Sequence, residues 1–261
     1  MRERRLVFGE VAELYDRHRP TYPSALIDDL VAAAGLDGTL AVLEVGAGTG
    51  KATVLFAGRG IPVVAVEPSA EMAAVAGRHG DGGADVEIEQ SDFEAWDPRG
   101  RRFPLLFSAQ AWHWVTPEVG LAKARAVLLP RGILAPFWNN VAWDKSDVRE
   151  TLTEVYARVA PELSRDGPMH PANLLTDASD DWGAEIGAVE GLTGAEARVY
   201  EWAQDYSAGE YAGLLATASD VRLLDDERRD AFLAAVTDAI EAHGEPVSIP
   251  MRTRLCLARR L

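Results

Sequence analysis

The chain has 261 residues and a single cysteine, which suffices for one large α/β domain and leaves no internal disulfide and no cysteine-rich zinc site. A formal net charge of −15 sets it against the phosphate backbone of nucleic acids. No apolar stretch approaches the length of a membrane span, and Met1-Arg2-Glu3-Arg4-Arg5 leads into an amphipathic pattern, so a soluble, cytoplasmic protein without nucleic-acid or membrane partners is expected.

Val7 to His18 reads as a helix, and Arg19-Pro20-Thr21-Tyr22-Pro23 breaks it before a second helix, Ser24 to Ala34, capped by Ser24 and closed by Gly35. The arginines at 2, 4, 5, 17 and 19 interleave with Glu3, Glu10, Glu13 and Asp16, the pattern of a solvated helix face. Leu40 to Val45 is short and aliphatic, as a buried parallel strand is, and Gly46, Gly48 and Gly50 follow it in alternation. Without Cβ atoms these glycines allow positive φ angles and let a ligand lie against the backbone. A dinucleotide fingerprint started at Gly46 would put its third glycine on Lys51. A phosphate-binding P-loop would put its first glycine on Val45 and its hydroxyl on Ala52. Both alternatives fail at an obligatory position.

Beyond the turn, Ala52 to Arg59 reads as a short helix and Ile61 to Val66 as a second strand with Glu67 at its carboxyl end. In doubly wound folds an acidic residue about 20 positions after the glycine turn accepts ribose hydroxyls, which makes Glu67 a cofactor ligand. Pro68-Ser69 ends the strand, and Ser69 caps a helix running through Gly77, with Met72 on the face turned back to the nucleoside. Val86 to Glu89 is a third strand, followed by Ser91-Asp92-Phe93, and Phe103 to Ser108 a fourth, followed by Ala109-Gln110-Ala111-Trp112-His113-Trp114. Thr116-Pro117-Glu118 starts the next helix, and Pro130-Arg131-Gly132 turns into a fifth strand, Ile133 to Trp138, with Asn139-Asn140 after it. The alternation then stops. Val148 to Ala160 reads as helix, and Pro161 to Ala184 is a long irregular stretch containing Pro168, Met169, His170 and Pro171, of the kind used as a lid. Ala197 to Tyr206 alternates as a strand, Glu210 to Ala218 and Asp225 to His243 read as helices, and Val247 to Ala258 completes the sheet. The histidines at 18, 79, 113, 170 and 243 are scattered without ligand spacing, so no metal site is expected.

The run Glu44-Val45-Gly46-Ala47-Gly48-Thr49-Gly50 resembles the first motif of class I S-adenosylmethionine-dependent methyltransferases, and Ala109-Gln110-Ala111-Trp112-His113-Trp114 resembles a signature of their small-molecule, type 11-like subfamily. The resemblance implies a Rossmann-like, doubly wound seven-stranded sheet with an antiparallel last strand and helical caps at the N-terminus and in the C-terminal half. It implies S-adenosyl-L-methionine as cofactor, S-adenosyl-L-homocysteine as product, and a loop of Gly46, Ala47, Gly48, Thr49 and Gly50 under the methionine half. Pro68 and Met72 then border the adenosine, Ser91, Asp92 and Phe93 hold the adenine, and Ala109 and Gln110 complete the cofactor pocket. Phe8-Gly9, Tyr15-Asp16, Arg19-Pro20 and Tyr22-Pro23 are similar to an N-terminal lead that folds over the cofactor, with Tyr15 facing the sulfonium and Arg19 the carboxylate. His113 becomes the candidate base, and Trp112, Trp114, Trp138, Asn139 and His170 the candidate acceptor contacts.

The expected organisation is one methyltransferase domain, with cap helices over 1–38, a cofactor-binding half over 39–140, and an acceptor lid that also completes the sheet over 141–261. The expected activity is methyl transfer to an oxygen, nitrogen or carboxyl group of a small molecule by a monomer or homodimer. The rival readings are a non-catalytic S-adenosylmethionine-binding sensor or partner subunit and, behind it, an NAD-dependent oxidoreductase.

Overall fold

A computed structural model describes residues 11–79, 83–163, 165, 169–172 and 182–261. Residues 1–10, with Val7, Phe8 and Gly9, lie outside it, as do Pro168 and most of the irregular stretch after Pro161. The chain divides into two compact units. One comprises Thr21–Asn139, Ala178–Tyr200 and Thr253–Leu261, the other Met1–Pro20, Asn140–Asp177 and Glu201–Arg252.

The unit built on Thr21–Asn139 begins with α2 (Ser24–Ala34), α1 (Ala12–His18) belonging to the other unit. It alternates β1 (Val42–Val45), α3 (Thr53–Ala57), β2 (Val63–Glu67), α4 (Ala70–Arg78), β3 (Val86–Gln90), β4 (Phe103–Ala109), α5 (Pro117–Val127) and β5 (Leu128–Val141). The short helix α7 (Trp182–Gly187), most of β6 (Leu192–Tyr206) and the end of β7 (Val247–Arg260) also contribute. The sheet has seven strands in the order β3-β2-β1-β4-β5-β7-β6 with an antiparallel last strand, as expected for the doubly wound fold. The order reverses between β1 and β4, which makes the carboxyl ends of these two strands the place where such sheets take ligands.

Each central strand is buried on both faces, so its residues divide by parity. Leu43, Val45, Val64, Val66, Leu106 and Leu134 face one core, shared with Phe93, Trp96 and the α5 residues Leu121, Ala124 and Val127. Val42, Val63, Ala65, Leu105, Phe107 and Ile133 face the other, shared with Leu26, Ile27 and Leu30 of α2 and with Phe56. Gly35 closes α2 in the left-handed conformation as expected, and Ser69 caps α4 by accepting from the Met72 amide at 3.3 Å.

Three expectations need correction. Leu40 is exposed and precedes β1, because the strand pairs only from Val42 opposite Val63. Pro23, not Ser24, stands at the cap position of α2, and the Ser24 hydroxyl instead meets Arg59 at 2.8 Å. The triplet Pro130-Arg131-Gly132 does not precede the fifth strand but interrupts it: Leu128 pairs with Phe103 and Ile133 with Leu105, and Arg131 takes a φ of 67°.

The other unit carries α1 (Ala12–His18), α6 (Arg149–Val159), α8 (Ala208–Ala216) and α9 (Asp226–His243). Its core gathers Trp143, Leu152, Val155, Tyr156, Tyr211, Phe232, Val236 and Ile240. A Ser207–Glu210 capping box starts α8, and Asp225 caps α9 through the Arg228 amide.

Candidate cofactor and acceptor site

The glycine turn is held from beneath by the end of β2. The amides of Gly46 and Ala47 donate to the Val66 carbonyl at 2.8 and 3.2 Å, and the Gly50 amide to the Ala47 carbonyl at 3.0 Å. All three glycines have positive φ, at 72°, 58° and 87°. Gly46 has a second constraint, because a Cβ there would fall 2.4 Å from the Ala111 methyl. At Gly48 a Cβ would meet no atom of the described residues within 4 Å, so among them the space over the middle of the turn is open.

Three carboxylates stand along this edge, one after or within each of the first three strands. Glu44, in β1, is fully buried; its Oε2 accepts from the Thr53 hydroxyl at 2.5 Å, and its Oε1 has no partner among the described residues. Burial, with the nearby charge of Glu67, pushes its pKa up to about 8 against the lowering bond from Thr53. Glu67 is buried at the end of β2; its Oε2 accepts from the Gly48 amide at 2.8 Å and its Oε1 from the Ser69 amide at 2.9 Å. Burial raises its pKa, the two amides lower it, and the charge of Asp92 raises it again. Thr49, on the turn itself, also has a buried hydroxyl without a partner among the described residues. Glu44 was absent from the predicted site residues, although a carboxylate inside a four-residue buried strand was itself the signal.

Pro68 is half-buried, and Met72 is buried on α4. Ser91 donates to the Asp92 carbonyl at 3.0 Å, and the Ala95 and Trp96 amides return to the same carbonyl. Phe93 is buried against Trp96 and Trp112, at centroid distances of 6.3 and 6.1 Å. Trp96, which the sequence did not single out, is anchored by its indole N–H to Glu89 at 2.7 Å.

After β4, Ala109 is followed by Gln110 at a φ of 59°, whose amide donates to the Phe137 carbonyl at 2.9 Å and whose side chain donates to the Asn139 carbonyl at 3.1 Å. Trp112 to Trp114 form one turn of 3₁₀ helix, with Trp112 buried and His113 and Trp114 exposed. The Trp138 indole N–H donates to His113 Nδ1 at 3.1 Å, and the Trp114 ring packs on the imidazole at 4.8 Å. Partial burial holds the His113 pKa below its ordinary value. Asn139 is buried with both ends of its amide engaged: Nδ2 donates to the Thr21 carbonyl at 2.9 Å, and Oδ1 accepts from Thr253 at 2.6 Å. That amide clasps the scaffold.

The structure thus brings together the glycine turn, Glu44, Glu67, Asp92, Ala111 and the His113–Trp138 pair within one unit. Tyr15, Arg19 and His170 belong to the other unit. There the Arg19 guanidinium donates to Thr217 Oγ1 at 2.7 Å and to its carbonyl at 3.1 Å, and lies 5.1 Å from the centre of the Tyr15 ring. His170 is buried edge-on to Tyr156 at 4.6 Å, with Nδ1 accepting from the Ala172 amide at 3.1 Å.

Residues 42–132 match a family model described as a methyltransferase domain. An uncharacterized methyltransferase of Mycobacterium tuberculosis is 38% identical over 143 residues, 53% of this chain and 54% of its own length. The chain therefore spans about half the length of the mycobacterial relatives it matches. Among solved structures, a protein of Anaeromyxobacter dehalogenans provisionally named a type II methyltransferase aligns over 92% of this chain and 96% of its own, with a TM-score of 0.61 and 24% identity. The phosphoethanolamine N-methyltransferase 2 of Haemonchus contortus, solved with S-adenosyl-L-methionine, aligns over 97% of this chain and 56% of its own, with a TM-score of 0.51 and 14% identity. At such identities the structural likeness shows the fold alone.

Proposed function

We propose, for a chain that carries a methyltransferase domain over residues 42–132, that it transfers the methyl group of S-adenosylmethionine to a small-molecule acceptor. When bound, that cofactor supplies a carbon activated by a sulfonium; the acceptor's lone pair forms the new bond, and the pair of the broken carbon–sulfur bond stays on sulfur. One observation carries the reading: the buried Glu67 carboxylate at the end of β2 is tied to the Gly48 amide of the glycine turn at 2.8 Å, beside space that is open among the described residues.

The residues fit such a ligand. An ammonium or sulfonium is attracted to the carboxylates at the ends of β2 and β3, which would repel a dinucleotide pyrophosphate. The unpartnered Glu44 Oε1 and Thr49 Oγ1 are buried polar atoms of the kind a polar ligand satisfies. Glu67 spends one lone pair of each oxygen on the turn, which leaves lone pairs for the ribose hydroxyls. Asp92 and the buried Phe93 suit the amino group and the face of an adenine. His113 and Trp114 are the exposed side chains at the end of β4, the strand beside β1, and are assigned to the acceptor. Tyr15, Arg19 and His170 remain proposed ligand contacts, and residues 141–261 the proposed acceptor-binding part of a cytoplasmic enzyme. The net charge of −15 favours a small acceptor over a polyanion.

Isothermal titration with S-adenosylmethionine and S-adenosylhomocysteine is expected to give saturable binding in the low-micromolar range or tighter. No heat with either, together with saturable NAD binding, would refute the reading. Turnover of bound cofactor against a panel of metabolites separates an enzyme from a cofactor-binding sensor.

A further inference from the structure

The Trp138–His113 contact constrains chemistry that the sequence left open. An indole N–H is a donor and never an acceptor. The Nδ1 that it meets at 3.1 Å therefore holds a bare lone pair, and the single proton of the neutral imidazole sits on Nε2. The ring packed on the imidazole is that of Trp114 and the group bonded to it is the Trp138 indole, neither of which titrates, and partial burial holds the imidazole pKa below its ordinary value. Among the described residues Nε2 has no hydrogen-bond partner, and the side chain is exposed.

A general base at this position needs the opposite tautomer. Freeing Nε2 moves the proton to Nδ1, forfeits the indole hydrogen bond and sets two N–H donors against each other. Protonating the whole ring does the same.

We infer that Trp138 is a positioning residue that locks His113 as a neutral donor through Nε2, and that the acceptor taken here presents an ionised oxygen, a carboxylate foremost, instead of an alcohol or amine. A carboxylate has one oxygen to attack and a second to accept the Nε2 hydrogen bond. Its negative charge cancels the positive charge of the methyl donor, and no proton is left for a base to remove. The acceptor class rests on the methyltransferase reading; the tautomer does not.

The tautomer is read directly by long-range proton–nitrogen correlation spectroscopy of uniformly ¹⁵N-labelled protein, with His113→Gln used to assign the ring. The expected spectrum at neutral pH has Nδ1 in the unprotonated range and Nε2 in the protonated range, and Trp138→Phe shifts both toward the average of a mixture. A protonated Nδ1 in the wild type, or a spectrum unmoved by Trp138→Phe, overturns the lock. For the acceptor class, a panel of matched carboxylic acids, alcohols and amines is assayed for methyl transfer. Carboxylic acids are expected to turn over, with His113→Gln, which keeps an N–H near Nε2, within about threefold of wild type and His113→Ala down by about ten- to a hundredfold. Turnover confined to alcohols or amines, or equal loss in the two variants, overturns it. Absence of cofactor binding by calorimetry overturns the methyltransferase reading and the acceptor class with it, while the nuclear magnetic resonance result still judges the lock.

Discussion

Gly46→Ala and Gly48→Ala, two residues apart in one turn, should fail in different ways. At Gly46 the new methyl would lie 2.4 Å from the Ala111 Cβ at a φ of 72°. A left-handed conformation costs an L-residue about 1 to 2 kcal/mol, and forcing extra volume into a packed site costs about 1 to 3 more. Gly46→Ala should therefore lose about 2 to 5 kcal/mol of stability. At Gly48 the φ of 58° carries the same backbone cost, but the methyl meets no atom within 4 Å. The stiffer unfolded chain returns about 0.4 to 1 kcal/mol, so Gly48→Ala should lose about 0 to 1.6 kcal/mol. Its methyl instead enters the space over the turn, where the ligand is proposed to lie, and affinity for S-adenosylmethionine should fall by about tenfold or more. Urea unfolding and calorimetry on the same preparations separate the two effects. A Gly48→Ala protein that binds as tightly as wild type would refute a ligand running against this backbone, and a Gly46→Ala protein of unchanged midpoint would refute the contact with Ala111.

Glu67→Gln is expected to weaken cofactor binding by about 1.5 to 3 kcal/mol, roughly ten- to a hundredfold, because its new NH₂ group faces a backbone donor that the carboxylate now accepts from; an unchanged dissociation constant in calorimetry would exclude the ribose role. Arg19→Ala should remove two bonds to Thr217 and lower stability by about 1 to 3 kcal/mol, seen as an earlier urea midpoint; a midpoint equal to wild type would mean that these bonds add nothing. Glu44, raised from 4.5 to about 8, binds its proton more tightly folded than unfolded, so its contribution is fully present below pH 4.5 and is lost as pH rises to about 8. The interval corresponds to at most about 5 kcal/mol, and Glu44→Gln should flatten it: wild-type urea midpoints falling no further than the variant's between pH 5.5 and 8.5 would contradict the buried acid.

What the sequence disclosed and what it hid divide by distance along the chain. The glycine turn, the Ser69 cap and the acids at the ends of β2 and β3 were legible because each follows from a local pattern: an apolar run, a punctuating residue, a helix start. Pro130-Arg131-Gly132 carried equally strong turn signals, yet Leu128 had already paired with Phe103, and tertiary pairing absorbed the triplet as a bulge. Ser24 carried a cap signal and lost that role to Pro23, its hydroxyl being taken by Arg59. The partners of Asn139 lie 118 and 114 positions away, and Trp138 is 25 positions from His113. Nothing local marks these pairs: Thr253 and His113 reach their partners through the strand order that sets β7 and β4 beside β5, and Thr21 reaches Asn139 from the segment before α2.

The same geometry bears on why an otherwise apolar strand keeps a carboxylate. Replacing a buried, half-partnered acid by an apolar residue of similar volume is often neutral or stabilising, so stability alone gives no reason for Glu44. Its position does. Among the described residues its carboxyl group is bonded by Thr53 of α3 alone and its other oxygen has no partner, and its charge is suppressed by burial and by Glu67. A cation bound at the turn, as proposed, would lower the Glu44 pKa toward the ionised form. A positively charged ligand would thus be favoured at this turn and a negatively charged one disfavoured, a preference that the fold alone, shared by proteins of many activities, would not supply.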